Sequence, residues 1–65
     1  MNKFIVLVQG NSPKTFHTID SAIKYARLEV YATQATIIKA FDELKDNKMA
    51  QWCYGFRSIA IYPEN

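Results

Sequence analysis

Apolar positions in residues 18–33, TIDSAIKYARLEVYAT, recur at the spacing of an α-helix. At 100° steps, Ile19, Ala22, Ile23, Ala26, Val30 and Thr33 fall in one stripe, the i, i+3, i+4, i+7 mark of a helix with one buried face. Thr18 suits the N-cap, where its hydroxyl accepts from a free backbone N–H of the first turn. Asp20 then lies where the helix dipole favours an anion, although no Glu or Gln completes a capping box. The opposite side carries Tyr25, Leu28 and Ala32, with Lys24, Arg27 and Tyr31 beside them. Scattered surface apolar residues are common, and a further layer of the same chain could cover them. The functional reading is a protein contact through Tyr25, Leu28 and Tyr31, rimmed by Lys24 and Arg27, because Tyr and Arg serve well as binding anchors.

Before the helix, residues 3–9, KFIVLVQ, read as a strand. The unbroken apolar run suits a strand covered on both faces or central in a sheet. Gly10, Asn11, Ser12 and Pro13 form a turn by composition, and residues 14–17 a short return strand. After the helix, residues 35–44, ATIIKAFDEL, admit two readings. Ile37, Ala40, Phe41 and Leu44 continue the earlier stripe, consistent with one helix from Ile19 to about Asp46. Such a helix would be roughly 40 Å long, against a radius of gyration of about 11 Å for a compact chain of this size. Thr33, Thr36, Ile37 and Ile38 crowd β-branched side chains together, which favours a strand. The expectation is therefore a helix ending near Ala32–Gln34 and a strand over about residues 35–42.

Residues 43–48 read as a polar turn, with Asp46 and Asn47 tolerant of left-handed backbone. Residues 49–56, MAQWCYGF, form an aromatic strand that places Trp52, Tyr54 and Phe56 on one face and Gln51, Cys53, Gly55 and Arg57 on the other. Gly55 marks a bulge or bend. Residues 58–62 form a last strand that Pro63 stops, and Glu64 and Asn65 are expected to fray. The predicted fold is α+β: one amphipathic helix packed on a four- to five-stranded antiparallel sheet, ββαββ-like, in a single domain over residues 1–65.

A chain of 65 residues buries only about 60% of its unfolded surface, so its stability is marginal. Cys53 is the only cysteine, so no internal disulfide is available, which favours a reducing cytoplasm or an odd free thiol. His17 and Cys53 alone cannot build a structural zinc site. No signal peptide or membrane span is apparent, because the longest apolar run is too short. A net charge of +2 is too small to mark a nucleic-acid surface.

Candidate chemistry is sparse. His17 has no nucleophile or carboxylate motif around it and reads as an ordinary residue before the helix. Asp42, Glu43 and Asp46 are half of the six acids, but they lack the spacing and glycine of a calcium loop and read as a solvated turn. Cys53 reads as a small buried hydrophobe rather than a nucleophile. No phosphate cradle, catalytic triad or metal motif is present, so neither catalysis nor a cofactor is expected. The aromatic strand fits best as the wall facing the helix. Its alternative is a single-stranded nucleic-acid platform of Trp52, Tyr54, Phe56 and Arg57, since Tyr54-Gly55-Phe56 resembles part of the aromatic strand of RNA-recognition motifs.

The hairpin-like start, the T-I-D-x-A helix opening and the closing strands resemble small inhibitors that bacteriophages make against host enzymes. Ile37-Ile38-Lys39-Ala40-Phe41-Asp42, followed by Lys45, Lys48 and Cys53, resembles the Dmd antitoxins of T-even phages, which block an RNase toxin. The layout is also similar to short phage proteins that occlude host RNA polymerase. This resemblance implies a ββαββ fold and steric inhibition of a host enzyme or regulator; it assigns no binding residues. The expected function is thus a non-catalytic, protein-binding inhibitor or adaptor in the cytoplasm, without cofactor or membrane. Nucleic-acid binding and a homodimer through the exposed helix side are the alternatives.

Overall fold

The computed structural model describes residues 3–64. Two hairpins and two helices form two layers. Strand β1, Lys3–Val8, pairs antiparallel with β2, Lys14–Phe16, in the register Phe4↔Phe16 and Val6↔Lys14. Helices α1, Ile19–Glu29, and α2, Gln34–Lys45, follow. Strand β3, Ala50–Tyr54, and β4, Arg57–Glu64, form the second hairpin. The sheet order is β2-β1-β4-β3, entirely antiparallel, with β4 paired to β1 from Lys3↔Glu64 to Val8↔Ile59.

Local chemistry sets the turns. Gly10 has φ +87°, and Asn11 N–H donates to Val8 O at 2.9 Å, closing the β1–β2 turn. Only glycine adopts such a φ freely. Gly55, φ +65°, is the first of two loop residues joining β3 to β4, where a tight hairpin favours glycine. Thr18 Oγ1 accepts from Ser21 N–H at 3.1 Å and caps α1, as the sequence predicts.

The region after α1 departs from both expectations. Residues 35–42 are helical rather than a strand, yet α1 and α2 are separate. Val30 leaves the helix with φ −134° and ψ 116°. Thr33 then caps a new helix, its Oγ1 accepting from Thr36 N–H at 3.2 Å. One rod of roughly 40 Å would exceed the longest dimension of the molecule, 33 Å. Ala40 and Leu44 are buried, with Ile37 and Phe41 packed against the core. Burying that stripe outweighs the strand preference of the β-branched residues, which is a modest term. Asp46 caps the end of α2, followed by Asn47 at φ +62°. Lys48 N–H donates to Glu43 O at 2.8 Å and Asn47 N–H to Leu44 O at 3.1 Å, the paired bonds of a Schellman motif.

The core lies between the helices and one face of the sheet. Phe4, Val6, Val8, Ala50, Ile59 and Ile61 supply the sheet side; Ala22, Ile23, Ala26, Val30, Ala40 and Leu44 supply the other. β1 is central, but only one of its faces is covered, with Leu7 open to solvent on the other. The final strand also runs past its expected stop. Gln9 N–H donates to Ser58 O at 3.2 Å, so alternate residues of β4 turn their polar backbone groups toward β1. By that alternation Pro63 faces the β3 side, where pairing has already ended at Ala50↔Ile61. Its missing N–H therefore breaks no ladder bond. Glu64 pairs with Lys3 instead of fraying; Asn65 lies outside the described residues.

Candidate protein-binding surface

The break after α1 decides where the candidate side chains go. Because Val30 is extended, Tyr31 and Ala32 do not continue the α1 wheel, and the expected outer face is divided. Tyr25 turns toward β2. It is half-buried, its ring centroid lies 5.3 Å from that of Phe16, and Lys14 Nζ sits 5.9 Å from its own centroid. Lys24 and Arg27 are exposed, and Leu28 is 77% exposed.

Tyr31 instead reaches the second hairpin. Its ring meets Tyr54 edge-on at 5.1 Å between centroids. Phe56, two residues after Tyr54, is 100% exposed at the hairpin tip. The expected platform of Trp52, Tyr54 and Phe56 is not formed. β3 ends at Tyr54, and Phe56 belongs to the turn, so the period-two argument stops before it. Trp52 packs against the core and its Nε1–H donates to Val30 O at 3.0 Å.

Polar contacts hold the hairpin beside α1. Arg57 Nη2 lies 3.7 Å from Glu29 Oε1, and Asn11 Nδ2 donates to that same oxygen at 3.0 Å. This exposed ion pair adds little stability, but it draws the two turns and the end of α1 to one carboxylate. Tyr31 also lines a cleft together with Arg27, Ala32, Gln34, Ile37 and Ile38. Ile38 is 56% exposed. Reading residues 35–42 as a strand hid this residue; the T-x-x-T start at Thr33, matching T-x-x-S at Thr18, is the signal that marks its helix.

Exposed apolar side chains thus gather round Tyr31: Tyr54 meets its ring and Ile38 and Arg27 share its cleft, while Phe56 stands on the turn between Tyr54 and Arg57. This grouping joins Tyr31 and Arg27 from the expected protein contact with Tyr54, Phe56 and Arg57 from the expected nucleic-acid platform. Cys53 is exposed rather than buried, because it sits on the uncovered face of the sheet with Gln51. Among the described residues no His, Cys, Asp and Glu cluster could hold a metal ion. No described helix is long and apolar enough to cross a membrane.

No protein-family model matches the chain, and neither the curated proteins nor the solved structures yield a match.

Proposed function

We propose that the chain is a small non-catalytic inhibitor or adaptor that binds another protein and acts by covering it, in the manner of the phage proteins that block host enzymes. The observation that carries this reading is Phe56, a large ring with no cover of its own, held on a tight hairpin whose neighbour Tyr54 is braced by Tyr31. Braced aromatic side chains lose little entropy on binding and supply the central contacts of protein interfaces. Ile38 and Leu28 add exposed apolar area, and Lys24 and Arg27 provide a basic rim that favours an acidic target and speeds encounter.

The nucleic-acid reading draws less support. Stacking platforms combine several rings with a basic groove, whereas Trp52 is packed inward and Arg57 is engaged by Glu29. The test is affinity capture from a lysate of the native host with wild type and a Tyr31→Ala, Phe56→Ala double variant, alongside a fluorescent single-stranded oligonucleotide. A protein retained by wild type and lost by the folded variant supports the proposal. Equal retention by both, or tight salt-sensitive oligonucleotide binding without a protein partner, overturns it.

A further inference from the structure

The two edges of the sheet differ. β2 is only Lys14–Phe16, carries a lysine and follows Pro13, so it is short, charged and preceded by a residue that cannot donate. Those are the devices that keep a sheet edge from pairing with another chain. β3 has none of them: Ala50–Tyr54 reads AQWCY, without charge or proline.

The ladder shows which backbone groups this edge presents. Gln9 N–H bonds to Ser58 O, and the alternation then turns the polar groups of Arg57, Ile59 and Ile61 toward β3. Their partners Tyr54, Trp52 and Ala50 are consumed by that pairing. The N–H and C=O groups of Gln51 and Cys53 point the other way, to the open edge. Both residues are exposed.

We propose that this edge pairs with β3 of a second copy, antiparallel about a two-fold axis through Trp52, to give one sheet running across both molecules. In that register Gln51 faces Cys53 of the second copy and Trp52 faces its own counterpart. Every outward group of Gln51 and Cys53 then finds a partner. The strand's lack of charge is what permits a copy of itself as the occupant, since in this register a charge at position 51 would meet its own copy on the diagonal, within reach of a long side chain. Tyr54 falls opposite Ala50 of the second copy, a large ring across from a small residue. A strand pair of this length buries little area, so the dimer is weak and reversible.

Sedimentation equilibrium over a wide concentration range tests this, with circular dichroism as the check on folding. Gln51→Pro removes an outward N–H and leaves the ladder to β4 intact; Gln51→Lys places a charge on the same edge. Wild type is expected to shift from 7.5 kDa to twice that mass as concentration rises, and both variants to lose the shift while keeping the fold. Gln51→Cys, treated with diamide, is expected to form a disulfide with Cys53 of the second copy, because directly opposed residues of this kind lie about 5.5 Å apart at Cα. Wild type that stays monomeric up to about 1 mM, a folded Gln51→Lys variant that dimerises like wild type, or a cross-linking yield no higher than that of a denatured control overturns the proposal.

Discussion

The indole N–H of Trp52, on the edge strand, donates to the carbonyl of Val30, the residue at which α1 ends, at 3.0 Å. One bond thus ties the second hairpin to the break between the helices. Val30 is nearly without solvent contact, so its carbonyl has little access to water if the indole is removed. Trp52→Phe keeps a ring in the core but removes this donor. It is expected to lower unfolding free energy by about 1–2 kcal/mol, the cost of leaving a buried carbonyl unsatisfied. Urea denaturation followed by circular dichroism measures it; a change near zero would mean that the bond contributes nothing.

Thr33 starts α2 by capping Thr36 N–H. Thr33→Ala is expected to cost about 1 kcal/mol, the usual loss for an N-cap. Thr33→Ser or Thr33→Asp retains the acceptor and is expected to recover most of it. If Thr33→Ala proves as stable as wild type, the cap is not what helps α2 begin there.

Asn47 holds φ +62° after α2. Asn47→Gly is expected to be neutral or mildly stabilising, and Asn47→Val to lose about 1–2 kcal/mol, because a β-branched side chain resists this backbone. Thermal unfolding of the pair provides the comparison, and Val equal to Gly would contradict the assignment.

Tyr25 and Leu28 are expected to part company. Tyr25→Ala removes the contact with Phe16 and is expected to destabilise the fold by about 1–3 kcal/mol. Leu28→Ala, at an exposed site, is expected to stay within about 0.5 kcal/mol of wild type. Equal losses measured by chemical denaturation would mean that the two side chains do not differ in their packing.

These elements explain what was legible beforehand. The stripe of Ala22, Ile23, Ala26 and Val30 and the cap at Thr18 are local patterns, and both are realised. The first hairpin and the α+β class follow from the same kind of signal, although the structure holds two helices where the sequence predicts one. The apolar stripe of Ile37, Ala40, Phe41 and Leu44 was also visible. What periodicity did not show was a second start at Thr33, since no Gly or Pro marks the break. Its stabilising partner, the Trp52 indole, lies far along the chain. The candidate surface was less legible because it depends on such distant approaches. A helical wheel puts Tyr31 beside Tyr25, but α1 stops before it, and period two puts Phe56 in a strand that Gly55 ends. The Tyr31–Tyr54 contact links residues from the two separate candidate sites.

The most direct test of the account is the affinity of the captured protein for wild type and for the Tyr31→Ala, Phe56→Ala variant, measured by titration calorimetry alongside melting temperature. Each true anchor is worth about 2 kcal/mol or more, so the expected weakening is at least thirtyfold, the factor for one anchor, and about a thousandfold if the two add, with the fold retained. Unchanged affinity in the folded variant would contradict it.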